Sequence, residues 1–224
     1  MKINVKPFLL FTVILCYSSV FSQTKKTYLA LGDSYTIGES VKENLRWPNQ
    51  LSDSLSARGI QFELPKIIAR TGWRTDELIA ALQTEKGKED YDLVSLLIGV
   101  NNQYQNKDIE VFQKEFAELI KIAIQHSKKG KKSVFVLSIP DYGATPFGQQ
   151  KNPKKIDKEI QQYNAVCRQI CDEHNIPFYE ITEISKRAKT DLALVAVDGL
   201  HPSGAMYSLW VQKIINGVYQ NLSE

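Results

Sequence analysis

The sequence predicts an α/β fold with a parallel five-stranded sheet in a flavodoxin-like strand order. Short apolar runs alternate with amphipathic stretches, which is typical of strands joined by crossover helices. The run at residues 93–98 is apolar apart from one serine, as expected of a central parallel strand covered on both faces. Neither an internal repeat nor a linker interrupts the alternation, and right-handed crossovers would place helices on both faces of the sheet. We therefore expect one domain over residues 23–224.

Residues 1–22 have the features of an export signal. Lys2 and Lys6 precede a largely apolar stretch at 8–20, and Ser22 is a small residue at the expected cleavage point. The apolar stretch is shorter than a membrane-spanning helix requires. We predict that residues 1–22 are removed and that the protein is exported, to the periplasm or the medium if the organism is bacterial, with no stable membrane span afterwards. An uncleaved N-terminal anchor is the alternative.

The mature chain is close to neutral. The full sequence has 28 basic and 25 acidic residues, and the signal removes two lysines and no acid, which leaves a formal charge of +1. This balance does not favour nucleic acid as a partner. The basic runs at 128–132 and 151–155 are interpreted as solvated, with Gly130 as the C-cap of a helix. We expect a monomer that acts on a small molecule.

The first two strands and the helix between them are predicted from the N-terminal part of the mature chain. An apolar run at 27–31 predicts the first strand, and the helix begins at Pro48 and is closed by Gly59. Residues 62–69 predict the second strand. Pro65 places that strand near a sheet edge, because proline cannot donate a hydrogen bond to a neighbouring strand.

The middle of the chain predicts the buried centre of the sheet. Thr75 is the predicted N-cap of a helix whose first turn is acidic. Strands are predicted at 93–98 and 134–139, and a long loop rich in Gly and Pro follows at 141–153. The helix between these strands has one apolar stripe, formed by Phe112, Phe116, Leu119, Ile120 and Ala123.

The C-terminal part predicts a long helix, a short strand at 177–181 and a final helix capped by Ser203. Cys167 and Cys171 lie four residues apart on the long helix, which is poor geometry for a disulfide, so both are expected as buried thiols. The apolar face of the long helix contains Ile156, Ile160, Tyr163, Cys167, Ile170 and Cys171, and that of the final helix contains Tyr207, Trp210, Val211, Ile214 and Val218.

A serine and a histidine at opposite ends of the mature chain form the candidate catalytic pair. Ser34 follows the first strand in the turn Gly32-Asp33-Ser34, at the edge where parallel sheets bind ligands. A serine hydroxyl needs an imidazole to take its proton, and that imidazole needs an acceptor on its other nitrogen. His201 and Asp198 supply these two groups across a short turn.

Three donors are candidates for binding the oxyanion of a tetrahedral intermediate. They are the N–H groups of Ser34 and Gly72 and the side-chain amide of Asn101, each of which lies near the end of a predicted strand. Gly72 lacks a side chain, which would allow the substrate to approach its N–H closely. The pattern therefore predicts acyl transfer through a serine.

Four segments, Gly32-Asp33-Ser34, Gly72, Gly99-x-Asn101 and Asp198-x-x-His201, resemble in order the four sequence blocks of the SGNH hydrolases, also called GDSL esterases and lipases. The resemblance covers essentially the whole mature chain. It implies a three-layer α/β/α sandwich and a carboxylic ester hydrolase that uses no metal and no other cofactor. It also implies Ser34 as nucleophile, His201 as base and Asp198 as its orienter, with Ser34, Gly72 and Asn101 as the oxyanion hole. The family pattern usually reads Gly-x-Asn-Asp, whereas Asn102 replaces the aspartate here, so an amide stands where a carboxylate would support Asn101.

Aromatic residues adjoin the candidate catalytic loops and are predicted to line the substrate cleft: Tyr35, Trp73, Tyr104, Tyr142 and Phe147. Export favours acetylated glycans, lysophospholipids or short acyl esters as substrates, and thioesters would suit the same site. Two non-hydrolytic alternatives stay open. One is a flavodoxin-like protein, because residues 34–38 loosely resemble a phosphate-binding loop, and the other is a carbohydrate-binding protein. The first leaves Asp198 and His201 without a function.

Overall fold

A computed structural model describes residues 1–2, 24–85 and 90–223 of the protein. The predicted signal peptide at residues 1–22 lies outside the described residues, apart from its first two. Within the described ranges, no helix is both long enough and apolar enough to cross a membrane.

Five parallel strands form one sheet in the order β2-β1-β3-β4-β5, which confirms the predicted flavodoxin-like order. The strands are β1 (Tyr28–Gly32), β2 (Lys66–Ala69), β3 (Leu93–Leu97), β4 (Val134–Leu137) and β5 (Phe178–Tyr179). Gly32 at the end of β1 lies opposite Ala69 of β2 and Leu97 of β3. Three strands therefore end together, and the loops that follow them share one edge of the sheet.

Helices pack around this sheet in two groups. They are α1 (Ser34–Ile37), α2 (Trp47–Ala57), α3 (Thr75–Thr84), α4 (Val100–Tyr104), α5 (Ile109–Gln125), α6 (Pro146–Gln149), α7 (Pro153–His174), α8 (Thr182–Ser185) and α9 (Gly204–Ser223). Helix α2 packs against α9, whereas α5 packs against α3 and α7. The result is the three-layer α/β/α sandwich.

The hydrophobic core follows the predicted periodicities. Every residue of β1 and of β3 is buried, as expected for central parallel strands. All residues of the predicted apolar stripes of α5, α7 and α9 are buried as well. Cys167 and Cys171 are buried free thiols, and burial raises the pKa of Cys171 to about 12.

Strands β4 and β5 end two residues earlier than predicted, and three further local predictions were wrong at the ends of elements. Strand β2 begins at Lys66, after Pro65, and not at residue 62. The N-cap of α3 is Arg74, because the Thr75 hydroxyl donates to Glu115 instead of capping the helix.

Gly130 is likewise not the C-cap of α5. That helix ends at Gln125 with His126 as its C-cap. The His126 carbonyl accepts a hydrogen bond from the Tyr91 N–H at 2.8 Å, while the Lys128 N–H donates to the Tyr91 carbonyl at 2.9 Å. Pairing with Tyr91 takes the chain out of the helix, and Gly130 opens a short 3-10 turn that ends at Ser133.

Candidate active site

Ser34 is the first residue of α1 and directly follows the end of β1. The turn is fixed by Asp33, whose Oδ1 accepts a hydrogen bond from the Tyr35 N–H at 3.0 Å and so caps α1. A side chain at Gly32 would bring its Cβ to 2.3 Å from the Leu97 carbonyl oxygen, so only glycine fits between β1 and β3. The sequence therefore holds Ser34 in a fixed position at the carboxyl edge of the sheet.

The loop before α9 fixes the relation between Asp198 and His201. His201 Nδ1 lies 2.7 Å from Asp198 Oδ2, and Asp198 Oδ1 accepts hydrogen bonds from the N–H groups of Leu200 and His201, both at 2.9 Å. The Ala196 N–H donates to the His201 carbonyl at 2.7 Å and closes the loop. Because Nδ1 donates to the carboxylate in neutral histidine, Nε2 is the nitrogen that can accept a proton.

Asp198 is held in its ionised form. Burial opposes ionisation, but hydrogen bonds from Ser40, His201 and backbone N–H groups outweigh it and hold the pKa of Asp198 well below its usual range. The side chain therefore carries a negative charge at neutral pH. That charge can stabilise an imidazolium at His201.

Ser34 and His201 line the same cleft, which has a volume of about 180 Å³. The other residues lining this cleft are Tyr35, Val100, Asn101, Tyr104, Tyr142, Phe147 and Leu200. Trp73 is not among the lining residues, since it is half-buried and packs against the hydrophobic core. Val100 and Leu200 were missed in the sequence, where the available signal was their position next to Asn101 and His201.

Aromatic side chains form one wall of the cleft. The ring of Tyr104 lies edge-on to that of Tyr142, with centroids 6.0 Å apart, and 6.4 Å from the centroid of Phe147. The Phe147 N–H donates to the Gly199 carbonyl at 3.0 Å, which joins this wall to the loop of His201. The segment at 141–153, predicted as a long loop, instead contains a 3-10 turn and α6, and it contributes Tyr142 and Phe147 to the cleft.

Asn101 connects the cleft to the loop that contains Gly72. Its Nδ2 donates to the Trp73 carbonyl at 3.0 Å, which leaves the second N–H of the amide for another acceptor. Gly72 has a φ of +87°, a conformation that favours glycine, and among the described residues no atom beyond Gly72 and its two chain neighbours lies within 4 Å of the position that a Cβ would occupy. Gly72 is exposed and is not among the residues lining the cleft.

Asn102, the neighbour of Asn101, is hydrogen-bonded to Thr75 at the start of α3. It is buried, its Oδ1 accepts from the Thr75 N–H at 3.1 Å, and its Nδ2 donates to Thr75 Oγ1 at 2.6 Å. Thr75 Oγ1 in turn donates its only proton to Glu115. An amide therefore supplies a donor that an ionised aspartate at this position could not.

The sequence between residues 30 and 209 matches the model of the GDSL-like Lipase/Acylhydrolase family. No curated protein sequence gives a significant match to the chain.

Solved structures share the fold at low sequence identity. TesA is 16% identical with a TM-score of 0.69, and the alignment covers 88% of this chain and 99% of TesA. The lipase/acylhydrolase from Enterococcus faecalis is 21% identical with a TM-score of 0.67, covering 87% of this chain and 96% of that one. An acetylxylan esterase from Geobacillus stearothermophilus is 18% identical with a TM-score of 0.63, covering 86% and 94% of the two chains. The family match favours the hydrolase over the two non-hydrolytic alternatives.

Proposed function

Because the chain belongs to the GDSL-like lipase/acylhydrolase family and is a carboxylic ester hydrolase, we propose that it cleaves esters through an acyl-enzyme on Ser34, with His201 as the general base. The arrangement of Ser34, His201 and Asp198 carries the proposal. Ser34 and His201 line one cleft, and His201 Nδ1 lies 2.7 Å from the Asp198 carboxylate.

In the proposed reaction, Ser34 Oγ attacks the ester carbonyl carbon while His201 Nε2 takes the hydroxyl proton. The N–H groups of Ser34 and Gly72 and the Asn101 amide bind the oxyanion. When the tetrahedral intermediate collapses, the alcohol leaves with the proton from His201, and the acyl group stays on Ser34. Water then attacks the acyl-enzyme with His201 again as base, which releases the carboxylic acid and restores the serine.

We propose that the preferred substrates carry a short acyl group. The cleft of about 180 Å³ is smaller than the roughly 300–1,000 Å³ of sites that enclose drug-sized ligands. Its walls are mostly aromatic and aliphatic, so they suit an acetyl group better than a charged one. Acetylated glycans fit this description, and the Geobacillus neighbour with the same fold is an acetylxylan esterase. A long acyl chain, as in a lysophospholipid, would have to extend out of the cleft.

Hydrolysis of nitrophenyl esters from acetyl to dodecanoyl, and of an acetylated sugar, tests both parts of the proposal. We expect kcat/KM to be highest for acetyl and to fall with chain length. Ser34→Ala should lower it by about 10⁴-fold or more, because the nucleophile is lost. The control is Ser54→Ala, which removes a hydroxyl bonded to the Gln50 carbonyl within α2. Equal rates for the wild type and Ser34→Ala would refute the serine mechanism, and a maximum at dodecanoyl would refute the short acyl group.

We also propose that residues 1–22 are removed during export, and that residues 23–224 then act as one domain and as a monomer. The basic start and apolar stretch of the signal support removal. Mass spectrometry of the exported protein should find Gln23 as its first residue. Retention of Met1 would instead support the N-terminal anchor.

A further inference from the structure

A serine in the turn after α1 reaches the carboxylate that orients the proposed base. Ser40 Oγ donates to Asp198 Oδ2 at 2.6 Å, although the two residues are 158 positions apart in the sequence. The same oxygen faces His201 Nδ1 at 2.7 Å. Ser40 therefore contacts the atom through which Asp198 would act.

We propose that Ser40 is a positioning residue for the Asp198–His201 pair. The inference rests on the proposed function, since it requires that His201 is the base. Four donors surround the carboxylate: the N–H groups of Leu200 and His201, the His201 ring and the Ser40 hydroxyl. Of these four, Ser40 alone comes from outside the loop of Asp198. It joins the segment that follows the nucleophile to the loop that carries the base.

The backbone conformation of Ser40 indicates that its side chain has a role at this position. Its φ is +62°, in the left-handed region that disfavours most side chains and that glycine adopts without strain. A serine here bears this strain while its hydroxyl makes the bond to Asp198. The adjacent Glu39 anchors the same turn on its other side, because its carboxylate accepts a hydrogen bond from the Thr71 hydroxyl beside Gly72.

Loss of the hydroxyl should change both the position and the charge of the pair. Without Ser40 as a donor, more negative charge remains on the oxygen that faces His201, which favours the protonated imidazole. The base would then become protonated at a higher pH. A less constrained carboxylate would also hold the ring less firmly, so that fewer encounters place Nε2 against Ser34.

Other titratable groups near His201 do not change the difference that we expect between the wild type and variants without the Ser40 hydroxyl. Tyr35 and Tyr142 share the cleft with His201, and Asp141 lines an adjoining cavity with all three. Tyr207 lies close enough to Asp33 and Asp198 for both carboxylates to raise its pKa. Burial raises the pKa of all three tyrosines far above neutral, so they stay uncharged. Asp33 and Asp141 are common to the wild type and to every variant compared, so their titration does not create a difference between them.

The test compares Ser40→Ala and Ser40→Gly with the wild type across pH, on the best ester of the panel. Glycine removes the hydroxyl and also relieves the backbone strain, so a loss that both variants share reports on the hydroxyl. We expect roughly tenfold lower kcat with little change in KM, and an acid limb of kcat/KM moved up by about half a pH unit. Ser54→Ala should keep the wild-type profile.

A wild-type kcat and pH profile in both variants would overturn the inference, as would lower thermal stability with an unchanged profile of the folded protein. Ser34→Ala, measured alongside, separates the two proposals. If Ser34→Ala is inactive while the Ser40 variants behave as wild type, only the role of Ser40 fails. If Ser34→Ala keeps its activity, the proposed function itself fails.

Discussion

Asp33 precedes the candidate nucleophile in the chain and Asp198 contacts the candidate base, and their surroundings move their pKa values in opposite directions. Asp198 has four hydrogen-bond donors and a partly exposed side chain, so it stays ionised. Asp33 is 1% exposed, and within the described part of the chain its Oδ2 has no hydrogen-bond partner. Burial raises the pKa of Asp33 to about 7, against the opposing effect of the N–H groups of Tyr35, Asp33 and Gly99.

This raised pKa predicts how Asp33→Asn changes stability with pH. Between the unfolded value of 3.8 and about 7, the folded protein holds a proton on Asp33 that the unfolded chain has released, so wild-type stability falls as pH rises through this window. Asparagine removes this dependence and can still accept from the Tyr35 N–H. From pH 5 to pH 8 we expect the free energy of unfolding of Asp33→Asn to gain about 3 kcal/mol relative to wild type.

Urea denaturation at pH 5, 6, 7 and 8 measures this difference independently of catalysis. Any fixed cost of burying the new amide shifts all four values equally and leaves the trend. The matched control is Asp53→Asn, at an exposed position of α2, which should run parallel to wild type. A constant difference between Asp33→Asn and wild type across this range would show that Asp33 does not titrate there.

At the scale of elements, the junction of α3, α4 and α5 depends on one hydroxyl. Thr75 at the start of α3 accepts from Asn102 of α4 and donates to Glu115 of α5. Since Thr75 and Asn102 are both almost fully buried, the bond between them lies out of contact with water, whereas the bond to the half-buried Glu115 is only partly shielded. Three helices around the Gly72 loop are thus joined by two hydrogen bonds in series, in which Asn102 donates to Thr75 and Thr75 donates to Glu115.

Asn102→Asp should remove the hydrogen bond that residue 102 donates to Thr75. The new carboxylate would face Thr75 Oγ1, whose single proton already serves Glu115, so two carboxylates would compete for one donor. We expect the free energy of unfolding to fall by about 1–3 kcal/mol at pH 7, and by less at pH 5, where a protonated carboxyl can donate. Urea denaturation checks both values.

Asn106→Asp is the control for the same chemical change at an exposed position, and it should stay within about 0.5 kcal/mol of wild type. If Asn102→Asp were as stable as the wild type, the Thr75 hydroxyl would not be donating its proton to Glu115. The amide at 102 would then have no electrostatic reason to replace the carboxylate of the family pattern.

The sequence predicted a helix or strand well where burial of an apolar face determines it. It predicted the ends of elements less well where a hydrogen bond to a distant residue determines them. The stripe from Phe112 to Ala123 identified α5 because only one face of that helix meets the core. Thr75 was predicted as an N-cap from its residue type, but bonds to side chains on α4 and α5 recruit its hydroxyl. The end of α5 was misplaced for the same reason, since Tyr91 pairs with the chain beyond His126.

At the scale of the molecule, strand order brings the two ends of the chain together. Ser34 follows the strand next to the centre of the sheet, and His201 precedes α9, which packs on α2. Motif order predicted that these residues would share an edge, because parallel strands direct their following loops to the same side. It could not predict the bond from Ser40 to Asp198, or that Trp73 is absent from the residues lining the cleft, since neither leaves a periodic or local pattern in the sequence.

Trp210 of α9 links this packing to the site. Its side chain is fully buried, and its ring lies edge-on to Tyr35 at 6.4 Å, while Tyr35 lies edge-on to the His201 ring at 5.9 Å. Trp210→Ala should therefore lower the free energy of unfolding by about 3–5 kcal/mol, through lost burial and the cavity left behind. Urea denaturation measures the loss.

Trp210→Phe distinguishes ring packing from the indole N–H. In the described structure Nε1 is buried without a hydrogen-bond partner, so phenylalanine keeps an aromatic ring and removes an unpaired donor. We expect Trp210→Phe to cost less than half as much as Trp210→Ala, and to retain most ester hydrolysis because Tyr35 keeps an aromatic neighbour. Equal losses in the two variants would mean that the N–H is bonded after all, most simply to a buried water, and that the docking of α9 depends on that polar contact rather than on the ring.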